Sequence, residues 1–164
     1  MDMNILKMIQ RIHNRLLDSI MVFITSLGNN GFIWIMISVI LISLKKYRKC
    51  GVRVIIALLL SVFFVNVIMK NLFSRSRPCW VDKSINLKVK NPKDYSFPSG
   101  HTSASFAAAI VIFLNYRTGG IIALILASLI GFSRMYLFVH YPSDVLVGGI
   151  LGWICGVLSY TILQ

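Results

Sequence analysis

A chain of 164 residues that is 57% hydrophobic and only 13% charged cannot clothe itself in a water-soluble surface, since soluble domains are under about half apolar and about a quarter charged. Its net charge of +12 comes from 17 basic residues against Asp2, Asp18, Asp82, Asp94 and Asp144, with no glutamate. That balance suits anionic lipid headgroups or phosphorylated substrates. It counts against nucleic acid, because the cations stand between apolar spans rather than on a soluble face.

The chain reads as one membrane domain, residues 1–164. At its start, Lys7, Arg11 and Arg15 recur at i, i+4 and i+8 along one helical face, opposite Ile5, Met8, Ile9, Ile12 and Leu16. Such a helix lies in the membrane interface. The apolar residues 20–27 then dip into the bilayer, so 1–27 is expected to be an amphipathic, partly inserted helix ending at Gly28-Asn29-Asn30-Gly31. Basic residues ahead of an apolar stretch imitate a signal peptide, but a small-residue cleavage site is missing and further apolar spans follow, so the segment is expected to be retained. His13, with no acidic or metal-ligating neighbour in this pattern, is expected on the surface of the first helix.

A spanning helix needs about 20 largely apolar residues. Residues 28–44, 52–69, 101–116, 119–137 and 144–163 meet or approach that length. Backbone polar groups must be satisfied within each segment, and period-2 alternation is missing, so helices rather than barrel strands follow. The expected fold is an all-α integral membrane protein, a bundle of about six helices: five clear spans plus the N-terminal one.

Lys45, Lys46, Arg48, Lys49 and Arg53 form a compact positive connection that marks the cytoplasmic side. Residues 70–100 then fall on the extracytoplasmic side, as does the turn before Asp144. The row Gly148, Gly152 and Gly156 on the last span allows close helix approach, as an internal seam or as a dimer contact. Cys50, Cys79 and Cys155 lack metal-site or disulfide spacing and read as free thiols; Cys79, Trp80, Tyr95 and Phe97 read as interface anchors.

Three polar clusters share the outer side. In the first, Lys70 and Arg77 are seven apart, about two helical turns, and are expected to point the same way at a helix end. Arg134 interrupts an apolar span, where an isolated cation is costly unless paired or functional. Three cations match the oxygens of a phosphoryl group. Pro98-Ser99-Gly100-His101 reads as a helix opening, whose free N–H groups favour an anion. There Ser99 adds a hydroxyl donor and Gly100 permits close approach. Two histidines remain. His140 has Asp144 four residues on to accept from one ring nitrogen and leave the other to attack, which makes His140 the better nucleophile. His101 is left as the acid for the departing oxygen.

Lys70 to Arg77-Pro78, Pro98-Ser99-Gly100-His101, and Ser133-Arg134 to His140 to Asp144 match the pattern K-x6-RP, PSGH, SR-x5-H-x3-D. The chain thereby resembles the type 2 phosphatidic acid phosphatase superfamily, with every signature position filled. The resemblance implies a metal-independent, cofactor-free reaction in two steps through a phosphohistidine. It implies His140 as nucleophile, Asp144 as its orienting partner and His101 as acid, with Lys70, Arg77, Ser99, Gly100 and Arg134 on the phosphate. A small bacterial-type lipid phosphatase is the implied member, with undecaprenyl pyrophosphate, phosphatidylglycerophosphate or phosphatidate as substrate. Transfer of the phosphoryl group to another lipid, or non-catalytic binding of a lipid phosphate, are the alternatives. Binding alone requires cations, but neither a nucleophile nor an acid.

Overall fold

The structure is a computed structural model that describes residues 2–163. The described residues form helices α1 (Asp2–Gln10), α2 (Arg15–Leu27), α3 (Phe32–Ser43), α4 (Arg48–Val62), α5 (Lys70–Phe73), α6 (Pro78–Val81), α7 (Gly100–Asn115), α8 (Arg117–Tyr136) and α9 (Pro142–Ile162). Three helical stretches are long and apolar enough to cross a membrane: the one starting at Lys45, α8 and α9. The pair α2 and α3, bent by 49°, makes a fourth, and α7 is a shorter apolar helix. The all-α membrane bundle expected from the sequence is thus present.

Its N-terminal part differs from expectation. The interfacial helix is not continuous. The chain leaves helical geometry after Gln10, and Asn14 restarts it as an N-cap whose side-chain oxygen accepts from the Leu17 N–H at 2.9 Å. Capping of this kind competes with helix continuation, because an Asn side chain satisfies orphan N–H groups at a start better than it serves mid-helix. The break turns His13 inward, against expectation. Its Nδ1 lies 3.0 Å from Asp18, its Nε2 lies 3.0 Å from the Tyr136 carbonyl, and its ring stacks on Tyr136 at 3.9 Å. The predicted span 28–44 is only the second limb of the bent pair. Its elbow runs through Asn30 at φ 51° and Gly31 at φ 70°, left-handed geometry in which glycine and asparagine are least strained.

The central helix is α7, packed against α4, α8 and α9. Small side chains bring it close: Ala107, Ala108 and Ala109 are fully buried. A Cβ added at Gly148, Gly152 or Gly156 would stand 2.7, 2.3 or 2.8 Å from a backbone oxygen of Ser99, Ser103 or Ala107. The glycine row of α9 is therefore an internal seam with α7, while Leu146, Ile150, Trp153 and Ile162 face outward. Trp34 donates to the Ser105 hydroxyl at 2.9 Å, fastening α3 to the same helix.

At 16 residues α7 is about 24 Å long, less than the roughly 30 Å hydrocarbon thickness. Its last turn is tied to the basic end of the bundle, where the Tyr116 hydroxyl donates to the Lys46 carbonyl at 3.2 Å. Its first turn therefore opens at the other end of the bundle. A second apolar cluster of Leu6, Met21, Cys79, Tyr136, Leu137, Phe138, Val139 and Tyr141 packs α1 and α2 under that opening. Cys79 is thus a core residue, not an interface anchor. All three cysteines are buried and unpaired.

Candidate active site

Lys70 and Arg77 meet by a route that helical spacing does not describe. The long fourth helix loosens into a π-helical stretch at Phe63–Met69, regains one α turn and stops at Ser74, which is left-handed at φ 42°. From Arg75 the chain runs back extended, because the residue before Pro78 is held out of helical geometry. The two side chains are then joined by Asp94. Arg77 Nη2 donates to one carboxylate oxygen at 2.9 Å, and Lys70 Nζ makes a short contact to the other.

Arg77 is 2% exposed and fixed at every donor group. Nε donates to the Asp94 carbonyl at 2.7 Å, and Nη1 donates to the Val139 carbonyl at 2.8 Å and lies 3.1 Å from His140 Nε2. A guanidinium has donors only. His140 Nε2 must therefore present its lone pair, and the proton of the neutral ring sits on Nδ1. That nitrogen faces Asp144 at 3.6 Å, longer than a hydrogen bond. Burial of the ring, aided by the Arg77 and Arg134 cations and opposed by Asp144, pushes the His140 pKa far below its ordinary value. The shift favours the neutral imidazole, whose one lone pair, on Nε2, is held by Arg77 at the cavity wall.

The loop that carries His140 is set by backbone geometry. Phe138 takes φ 59°, and the N–H groups of Val139 and His140 both return to the Arg134 carbonyl at 3.2 and 3.3 Å. Arg134 itself is buried and donates from Nη1 to the Thr25 hydroxyl at 2.7 Å. Asp144 sits at the third position of α9, fully buried, and accepts from the Tyr141 N–H at 2.9 Å, the Ser96 hydroxyl and Arg75 Nη1 at 2.6 Å.

Ser99 caps α7. Its hydroxyl is shared with the Thr102 hydroxyl at 2.8 Å, and its N–H donates to the Asp144 carbonyl at 3.0 Å. The Ser99 side chain consequently shapes the helix opening and does not line the cavity. A Cβ added at Gly100 would meet Asn66 Oδ1 at 3.7 Å, Val65 at 3.8 Å and Lys70 Nζ at 3.9 Å, so Gly100 faces the Lys70 side chain on the cavity wall. His101 Nε2 lies 3.0 Å from the Asn29 side-chain oxygen, an acceptor that requires the ring proton on Nε2.

Lys70, Arg77, Gly100, His101, Arg134 and His140 line one cavity of about 490 Å³. It brings together six of the eight residues predicted from the sequence, with Ser99 and Asp144 directly behind it. Arg75, Ser96, Asp94, Thr25 and Asn29 join them without a signal in the sequence. Their partners lie 48 to 109 positions away for all but Asp94, distances that no periodicity records.

Asp94 occupies two of the cations that the sequence pattern assigns to phosphate, Lys70 and Arg77. Burial pushes its carboxyl up, but Lys70 and Arg77 prevail and hold it at about 2, so it remains anionic throughout the working pH range. A phosphate must displace that carboxylate. A half-exposed ion pair contributes about 1 kcal/mol at most, which is about fivefold in affinity. Asp94→Asn is therefore expected to bind inorganic phosphate up to about fivefold more tightly, read as a lower inhibition constant in a phosphate-release assay. An unchanged constant would mean that Asp94 does not compete.

Comparison with known proteins agrees with this constellation. The PAP2 superfamily model matches residues 51–164. The undecaprenyl-diphosphatase of Sulfolobus acidocaldarius is 32% identical over 140 residues, 84% of this chain and 67% of that protein. Undecaprenyl-diphosphatase BcrC of Bacillus subtilis is 32% identical over 152 residues, 90% of this chain and 76% of that protein. Among solved structures, Aquifex aeolicus LpxE superposes with a TM-score of 0.84 at 30% identity, covering 98% of this chain and 94% of that one. With the signature residues gathered at one end of an all-helical membrane bundle, the chain belongs to the PAP2 superfamily and is a membrane phosphatase.

Proposed function

We propose that the chain removes the terminal phosphate of a membrane-lipid diphosphate, undecaprenyl pyrophosphate first among candidates, through a phosphohistidine on His140. The observation that carries the mechanism is the His140 ring. Its Nε2 lone pair lies at the cation-lined cavity, where Arg77 Nη1 holds it until a phosphoryl oxygen takes that donor, its proton is on the Asp144 side, and burial favours the neutral ring. The substrate choice is supported by the undecaprenyl-diphosphatase relatives. Phosphatidylglycerophosphate and phosphatidate are the further substrates to compare.

In the first step Lys70, Arg77, Arg134 and the N–H groups opening α7 hold the phosphoryl oxygens. His140 Nε2 attacks phosphorus, the bond from phosphorus to the bridging oxygen breaks, and His101, entering the step as the imidazolium beside the phosphate anion, gives that oxygen a ring proton and is left neutral. In the second step a water loses its proton to His101 and attacks the phosphohistidine. The P–N bond breaks, inorganic phosphate forms, and His140 is restored. Asp144 stabilises the positive ring in both steps.

We further propose that residues 1–164 form one catalytic domain whose site opens on the extracytoplasmic face of the cell membrane. The basic turn at Lys45–Tyr47 and Arg117 lie at the other end of the bundle, as the positive-inside rule requires of a cytoplasmic face.

The test is phosphate release by the detergent-purified protein from the three lipids with EDTA present. Activity on undecaprenyl pyrophosphate that survives the chelator is expected, and activity that EDTA abolishes would overturn the mechanism. Labelling Ser84→Cys with an impermeant reagent on intact cells checks the orientation. Reaction only after lysis would place the site inside.

A further inference from the structure

We infer that Arg75, outside the signature, is a positioning residue for this reaction and acts through Asp144; the inference rests on the roles proposed for His140 and Asp144. Asp144 is fully buried, and a buried carboxylate is costly without a counter-charge. His140 does not supply one. Its ring is neutral, because Arg77 donates to Nε2, and its Nδ1 stands 3.6 Å away. The counter-charge is Arg75, whose Nη1 donates to Asp144 Oδ1 at 2.6 Å.

Arg75 is itself held on several sides. Nη1 also reaches the Ser143 hydroxyl at 2.7 Å, Nη2 donates to Asp2 at 2.9 Å, and the guanidinium lies 4.0 Å over the Tyr141 ring. Its carbonyl accepts from the Ser96 N–H at 2.9 Å, while the Ser96 hydroxyl donates to Asp144 Oδ2. Two of the three groups that fix the Asp144 carboxylate are thus joined to each other, and the third is the Tyr141 N–H. With Oδ1 taken by Arg75, it is Oδ2 that faces His140 Nδ1. Arg75 thereby sets the direction of the carboxylate and keeps it ionised, ready for the charge that appears on the ring when Nε2 attacks.

Its removal also changes the electrostatics of the nucleophile. The ionisable groups facing His140 are Arg77 ahead of α6, Arg134 on α8, Asp144 on α9 and His101 on α7; Asp2 of α1 stands beyond Arg75. With Arg75 gone, the negative charges of Asp144 and Asp2 act on the ring with less opposition. His140 then takes a proton at higher pH, and a protonated ring cannot attack.

The experiment compares Arg75→Gln, Arg75→Lys and Asp2→Asn in the full-length, detergent-purified protein, with undecaprenyl pyrophosphate as substrate across a pH series. For Arg75→Gln the expected result is a kcat lower by about 10- to 100-fold, the usual loss when a residue that orients a reacting group through a hydrogen bond is removed. KM stays nearly constant, and the acid limb of the kcat profile moves to higher pH. Arg75→Lys restores much of kcat and returns the acid limb toward its original position. Asp2→Asn keeps kcat, because Asp2 touches Arg75 and not Asp144. A rise in KM at constant kcat would make Arg75 a substrate ligand and overturn the inference, as would an unchanged kcat or a lower kcat with an unshifted acid limb. If Arg75→Gln does not fold, the Arg75→Lys pH profile decides: an acid limb at its original position with kcat retained supports the role, and lost activity overturns it. An active His140→Ala would instead remove the mechanism on which the inference rests, so the two failures are separable.

Discussion

Replacing His140 by alanine is expected to lower kcat on the order of 10⁶-fold, the loss that follows removal of a covalent nucleophile. The size follows from the geometry. Among the charged groups lining the cavity, Lys70, Arg77 and Arg134 offer no lone pair, and the Asp94 carboxylate is held in ion pairs with Lys70 and Arg77. The three cations would still bind phosphate, so the variant should retain substrate affinity. Asp144→Asn leaves the nucleophile in place but takes the acceptor from behind it, and the expected loss is smaller, about 10³- to 10⁴-fold. The measurement is single-turnover phosphate release together with binding of a labelled lipid. Substantial turnover by His140→Ala would reassign the attacking group, since a positioning role does not account for a loss of this size.

The residues proposed to do the chemistry are legible in the sequence because each is an anomaly among apolar neighbours. Lys70, His101, Arg134 and His140 interrupt or border spans, and counting spans is enough to put them on one side. Hydropathy also dictates the helical architecture, because lipid leaves only helices or a closed barrel and the period-2 alternation of barrel strands is missing. The route by which these residues meet is not legible. Spacing by seven suggests that Lys70 and Arg77 share a helix face, whereas the helix stops at Ser74, a left-handed residue that is neither glycine nor asparagine. Pro78 signals that the helix cannot continue through Arg77, but it marks neither Ser74 as the stop nor Asp94 as the group on which Lys70 and Arg77 meet.

The remaining differences have the same origin. Arg75 and Asp144 are 69 positions apart and Arg75 and Asp2 are 73, so their pairing is a property of how α1 and α9 come together. The helical wheel that would expose His13 does not exist, since the first helix stops at Gln10 and Asn14 caps the start of the next. Periodicity reports which face of a helix meets lipid. It carries no information on which of several cations a buried carboxylate will choose, and the choice falls to Arg75 over His140 because Arg77 already holds the histidine in its neutral form.

His101→Ala should separate the two steps by their dependence on the leaving group. General acid catalysis contributes about 10²- to 10⁴-fold where the departing oxygen needs a proton. A lipid phosphomonoester leaves as an alkoxide and needs that proton most. The lipid phosphate released from a diphosphate needs it less, and an aryl phosphate, whose phenolate departs unaided, needs it least. The variant is therefore expected to lose most on phosphatidate, less on undecaprenyl pyrophosphate and least on an aryl phosphate in the step that forms the phosphoenzyme. The second step always needs a base for water, and His101 is the group positioned to supply it, with its Nε2 held by Asn29 at the cavity wall. On an aryl phosphate the first step then outruns the second, and acid-labile phosphate should accumulate on His140, detectable after a rapid quench as label lost on mild acidification. Equal losses on all three substrates, with no trapped label, would assign His101 to holding the phosphate. The proton would then have to come from a group other than the two histidines of this cavity.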